Sequence, residues 1–180
     1  MSFRHVEDLR RFILSESYGR RDALPGQVLA EHHTETVLLW NVDRTPTVPC
    51  TLVLPVPGEV DISALNIRLI ADIIDKPRSL SGTHQEALLD LERIVCPLQV
   101  RFRQPGDRFY PLGAPGSKKL QDFFIDSKIP RVERPYVPLV VSGRAIVWIV
   151  GYRIADPFKL RPGTKRVLRL QCGALHRGEF

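Results

Sequence analysis

The spacing of apolar positions changes character along this chain. In His5–Leu14, Val6, Leu9, Phe12 and Ile13 recur at helical spacing, which predicts a helix stopped near Gly19. The helix starts so close to Met1 that the chain is expected to begin inside a longer one. From the Leu24-Pro-Gly26 turn onward the period is that of strands: Gln27–Glu31, Thr36–Val42, Thr51–Val56 and Ile67–Ile74, separated by Asp43–Pro49 and Pro55-Val-Pro-Gly58. Lys76–Thr83 reads as a loop, and Glu86–Ile94 fits a strand or a helix equally. Leu98–Phe102 is a strand that runs into a Pro105-Gly106 turn.

Beyond that turn, Leu120, Phe123 and Phe124 stand at i, i+3 and i+4, predicting a helix over Lys118–Lys128 capped by Ser117, ended by Pro130 and buried on its phenylalanine face. Pro138–Val141 and Ala145–Val150 are short apolar runs joined by Ser142-Gly-Arg144, a hairpin in which the second strand is fully buried. Lys165–Cys172 alternates Val167, Leu168 and Leu170 with Arg166 and Arg169, a last strand before a frayed tail from Ala174. The fold class is α+β, mainly antiparallel β with a few short helices. The expected division is a helical segment at 1–22, a β-rich segment at 23–95, a closing domain at 96–172 that is either separate from that segment or continuous with it, and a tail at 173–180.

Charge sharpens this picture. The net +6 is the difference of two unlike halves: residues 1–90 carry nine basic and thirteen acidic side chains, residues 91–180 seventeen and seven, so the halves stand at −4 and +10. A basic half favours a polyanionic partner. The cations lie in turns and strands, with no long basic amphipathic helix to lie on a bilayer and no apolar run of about 20 residues to cross one. Cys50, Cys96 and Cys172 are odd in number and far apart, which argues against a disulfide framework or a CxxC metal clip and for buried thiols in a reducing cytoplasm.

The basic residues gather in Arg101–Phe109, Gly116–Asp126 and Pro130–Arg134. Pro105-Gly106 suits a type II turn. Asp107 either closes that turn through a salt bridge or orients Arg103 or Arg108. Arg101 and Arg103, two apart on a strand, share a face and form either a solvated edge or a phosphate clamp. Lys118 and Lys119 at a helix start oppose the helix dipole, a cost that a bound phosphate would offset. Tyr110, Tyr136 and Tyr152 are aromatic contact candidates or half-buried tyrosines. Enzyme signatures are missing: there is no P-loop, GxGxxG, HExxH or GxSxG, and the adjacent His32 and His33 point to opposite faces of a strand. No catalytic or metal-ligating residue is expected.

Arg103-Gln-Pro-Gly-Asp-Arg-Phe109, Gly116-Ser-Lys-Lys-Leu-Gln-Asp-Phe-Phe-Ile-Asp126, Ile129-Pro-Arg-Val-Glu-Arg134, Pro138–Val141 and Ile146–Ile154 together resemble the C-terminal domain of bacterial tRNA(Ile)-lysidine synthetase. The ordered resemblance spans about residues 90–172, and a weaker one takes in His5–Leu14, Leu24–Gly26 and Pro57–Val60. It implies a closing domain of the module shared with the phenylalanyl-tRNA synthetase β subunit. It also implies a parent ligase that uses ATP, with magnesium, to join lysine to the first anticodon cytidine of a tRNA(Ile) bearing CAU, changing codon reading from AUG to AUA. That family's catalytic domain carries an SGGxDS phosphate loop. Here Ser81-Gly-Thr83 and Ser142-Gly-Arg144 lack the second Gly and the Asp. The chain is therefore expected to be the tRNA-recognising C-terminal part, inactive alone, cofactor-free and cytoplasmic, contacting chiefly the acceptor stem. DNA and membrane are not expected as partners, and the oligomeric state of the parent, a homodimer included, stays open. The resemblance makes Arg103, Arg108, Lys118, Lys119, Lys128, Arg131 and Arg134 the tRNA-contact candidates, with Arg134 alternatively an ion-pair partner of Glu133 or Asp126, and the basic strand face adds Arg101 to the tRNA-binding set. The competing class is a protein-interaction module with a basic face and no catalysis.

Overall fold

A computed structural model describes residues 3–14, 21–24, 28–32, 37–41, 48, 51–77 and 83–175. Two compact units divide at Pro46/Thr47. In the first, helix α1 (Phe3–Ile13) precedes an antiparallel meander of β1 (Arg21–Leu24), β2 (Val28–His32) and β3 (Val37–Asn41). The helical period is borne out, but only part of its apolar stripe is covered: Phe12 is buried while Val6, Ile13 and Leu14 are exposed. Strand β1 was not expected, because Arg-Asp-Ala-Leu has no alternation to reveal it. The expected stop at Gly19, the Pro25-Gly26 turn, His33, Cys50 and most of the Asp43–Pro49 and Lys76–Thr83 loops lie outside the described residues.

The second unit is built on two antiparallel sheets. A five-stranded sheet has the order β13 (Arg153–Ile154), β12 (Ala145–Ile149), β11 (Leu139–Ser142), β8 (Leu98–Arg101), β4 (Thr51–Leu54). A four-stranded sheet has the order β5 (Gly58–Ile62), β6 (Ile67–Asp75), β14 (Arg166–Ala174), β7 (Glu86–Asp90). Strands from 51–90 pair directly with strands from 98–174, so the expected boundary at 95/96 is replaced by the continuous alternative. Glu86–Ile94 resolves into β7 and a 3-10 turn over Leu91–Arg93, where buried Asp90 accepts from the Glu92 amide. Thr164 donates to the other Asp90 oxygen at 2.9 Å, fastening the 161–164 loop to that corner. Strand β5 begins within what reads as a separator, since Gly58 is itself the first ladder residue. The last strand runs on to Ala174, and Leu175 donates to Asn66, so the tail cannot begin at 173 as expected. Cys96 is exposed rather than buried, and Cys172 is half-buried.

Strands β11 and β12 of the five-stranded sheet are covered on both faces. Leu98, Val100, Val140, Val147 and Trp148 meet Leu69, Ala71, Leu89, Leu168 and Leu170 of the other sheet. On the opposite face Leu139, Val141, Ile146 and Ile149 pack under a cap made of β9 (Arg108–Phe109), β10 (Lys118–Lys119) and helix α2 (Leu120–Asp126). Double coverage is why β11 and β12 read as continuous apolar runs. A bulge shifts the β11–β12 register after Val140↔Trp148, and Val147 and Trp148 both belong to the inter-sheet core. The hairpin turn is borne out, with Gly143 at φ +58.

Candidate nucleic-acid interface

The cap carries most of the expected contact residues. Its first piece is the turn Gln104–Asp107, closed by the Asp107 amide donating to the Gln104 carbonyl at 3.2 Å with Gly106 at φ +85, as a type II turn requires. Asp107 does not orient Arg103 or Arg108. Its two oxygens accept a bidentate pair from Arg101 at 2.8 Å each, and one also accepts from the Gln104 amide. Both side chains of this ion pair are only 12% exposed. Strand β8 ends at Arg101, so Arg103 is not its strand-face neighbour; it stands exposed beyond the strand. The expected Arg101–Arg103 clamp is therefore replaced by a turn brace and a separate exposed cation.

Lys118 and Lys119 are not on the helix. They form β10, paired antiparallel with β9 so that Lys119 faces Arg108 and Lys118 faces Phe109. Helix α2 starts at Leu120 with no side-chain cap; Ser117 instead accepts from Arg108 at 3.0 and 3.2 Å. The helix has seven residues, so the dipole argument for a phosphate there falls away. What replaces it is like charge set opposite on a ladder, which destabilises the pair unless an anion lies between. Leu120, Phe123 and Phe124 are buried as expected, Phe109 meeting Phe123 edge-to-face at 5.0 Å.

Pro130 does not end α2. The Ile129 amide donates to Phe124 and the Lys128 amide to Ile125, a Schellman closure with Lys128 at φ +54 where glycine is usual. Buried Ile129 joins Phe124 in the core, as that motif favours. Lys128 is thereby thrust outward, exposed beside exposed Arg131.

The eight candidates thus separate. Arg101 is engaged with Asp107. Arg134 donates to the Ile129 carbonyl at 2.9 Å, a tie to the backbone. Lys118 is paired with Asp126. Arg103, Lys119, Lys128 and Arg131 are exposed and, among the described residues, carry no ion pair. Arg103, Arg108 and Lys119 line one cleft of about 120 Å³ between the Pro105-Gly106 turn and the start of α2, closed below by Leu120 and Phe124. Asp107 is the carboxylate in that lining, and Arg101 already neutralises it. Of the tyrosines, Tyr110 is exposed and Tyr136 and Tyr152 are half-buried. Burial and the nearby Glu133 carboxylate push the Tyr152 phenol above its ordinary range. The convergence on the cleft is not legible in the sequence, because the register that sets Lys119 against Arg108 has no local signature.

Among the described residues there is no group of three His, Cys, Asp or Glu side chains able to hold a metal, and no helix long and apolar enough to cross a membrane.

Residues 98–172 match the model of the TilS substrate C-terminal domain. A tRNA(Ile)-lysidine synthase from Caldanaerobacter subterraneus subsp. tengcongensis is 34% identical over 173 residues, covering 95% of this chain and 37% of that protein. The namesake from Clostridium tetani is 49% identical over 82 residues, 46% of this chain and 18% of its own. The chain spans little more than a third of the length of such relatives at most. A crystal structure of a TilS C-terminal domain superposes with a TM-score of 0.62 at 29% identity, over 70% of this chain and 97% of that one.

Proposed function

Residues 98–172 make this chain a member of the tRNA(Ile)-lysidine synthase family through its C-terminal domain, and from that membership we propose that the α2 cap is a tRNA-binding surface. The observation that carries the reading is the convergence of Arg103, Arg108 and Lys119 on one small cleft whose carboxylate is already neutralised. A phosphate between Arg108 and Lys119 relieves their cross-strand repulsion and gives the Lys119 ammonium an anionic partner. Lys128 and Arg131 extend the positive surface past the end of α2. Arg101 and Arg134 leave the proposed contact set because their guanidinium groups brace turn and backbone.

Such a surface holds phosphates and reads no bases, so it suits the paired stem of a tRNA. The acceptor stem of a tRNA(Ile) with a CAU anticodon is the substrate segment we assign to it. The parent reaction, ATP-dependent joining of lysine to the wobble cytidine, is likewise proposed from the names of the relatives. ATP and lysine would be handled outside the described surface, and this chain alone is expected to form no lysidine. The test is equilibrium binding of a tRNA(Ile) transcript to this chain over a range of salt. Affinity that falls steeply with salt supports the surface; no measurable binding would overturn it in favour of a protein-docking face.

A further inference from the structure

A second concavity lies away from the Arg103–Lys119 cleft. One part, of about 420 Å³, is lined by residues of the edge strands β7 and β13, with Ala87, Leu88, Leu112, Trp148 and Ile154 among its walls. Another, of about 320 Å³, is lined by Gly151 together with Phe123 and Ser127 from the end of α2. His84, Tyr152 and Arg153 line both parts, so the two form one groove with these side chains at its junction.

We propose that this groove holds unpaired nucleotides that flank the paired RNA bound on the cap, a proposal that rests on the tRNA-binding reading above. Three features select this occupant. The walls are apolar and aromatic, which a phosphate backbone cannot use but the face of an unstacked base can. A cation stands at the junction: Arg153 is exposed and its guanidinium has no hydrogen-bond or ion-pair partner among the described residues, and the exposed His84 imidazole lines the same junction. The carboxylate in the lining, Glu86, accepts from the Gln171 side-chain amide at 3.3 Å. Lys159, also in the lining, is held by Asp156 at 3.0 Å. The groove is also continuous with the proposed stem-binding surface, since Ser127 in its wall is followed directly by Lys128. An RNA strand leaving a stem held at Lys128 and Arg131 would pass Ser127, then stack on Tyr152 with a phosphate at Arg153.

The test compares two RNA hairpins with the same stem, one blunt and one with a four-nucleotide single-stranded 3′ extension. The wild-type chain should bind the extended hairpin about tenfold more tightly, the order expected of one stacked base. Tyr152→Phe should keep that ratio. Tyr152→Leu and Arg153→Ala should bring it towards one while leaving affinity for the blunt hairpin unchanged. Arg153 is exposed, so its variant stays informative if Tyr152→Leu fails to fold. Equal affinity of the wild type for both hairpins would overturn the groove assignment and leave the stem surface intact. So would a ratio that survives in Arg153→Ala and in folded Tyr152→Leu. Binding of neither hairpin would overturn the stem reading and the groove with it.

Discussion

Arg101 and Arg103 stand two residues apart in a basic segment and have different physical roles. The first is a half-buried brace whose bidentate pair with Asp107 holds the Gln104–Asp107 turn. Arg101→Ala should lower stability by about 1.5–3 kcal/mol, the range for hydrogen bonds to charged groups, read as a shifted denaturant midpoint. Arg103→Ala, at a residue that is exposed and without an ion pair among the described residues, should stay within about 0.5 kcal/mol of wild type yet weaken RNA binding. Lys128 separates the two properties in the opposite sense. It occupies a left-handed position that costs an L-residue about 1 kcal/mol, so Lys128→Gly should raise stability by up to that amount while lowering RNA affinity. A Lys128→Gly protein that loses stability would show that this side chain holds the cap together. At this scale the chemistry of each side chain is legible in the sequence. Its partner is not: nothing local says that Asp107 reaches back to Arg101 rather than forward to Arg108.

Among the elements, those with a regular apolar pattern were readable. Strands β11 and β12, α1 and the phenylalanine face of α2 announce themselves through apolar runs or helical spacing. Phe124 is fully buried, and Phe124→Ala should cost about 3–5 kcal/mol in a denaturant titration. Elements defined by a partner were not readable. Lys118-Lys119 continues smoothly into a helical sequence, and only pairing with Arg108-Phe109 makes it a strand. Strand β5 hides behind Pro57, and its identity comes from nine-residue β6 alongside. The 3-10 turn Asp156–Phe158 is fixed in the same non-local way, by Asp156 accepting from the Gly113 amide at 2.9 Å. That bond, with Lys159, holds the Asp156 carboxyl below its ordinary value of 3.8. A lowered folded-state value means that the stabilisation is complete above the ordinary value and is lost as pH falls through the lowered one. Melting temperatures of wild type and Asp156→Asn should therefore differ at neutral pH and converge in acid. A gap that stays constant down to strongly acidic pH would contradict the link.

The molecule as a whole shows why its charge is divided. Four-stranded and five-stranded sheets share one core, and the acidic first half contributes strands whose outward charges pair within the sheet, as in Arg68 with Asp61 and Arg169 with Asp72. The basic second half adds the cap, where several cations find no ion-pair partner among the described residues. Overall class and family were legible because ordered motifs survive in sequence; the cleft was not, because it is assembled from a turn, a two-residue ladder and a helix start. On the proposed surface, Arg103, Arg108 and Lys119, with Lys128, hold RNA phosphates. The most direct test is the slope of log K against log salt for a tRNA(Ile) transcript. About four phosphate contacts predict a wild-type slope of about −3 to −4, and reversing Arg103 and Lys119 to Glu together should flatten it by about two while the fold persists. An unchanged affinity and slope in the folded double variant would place the RNA-binding surface elsewhere.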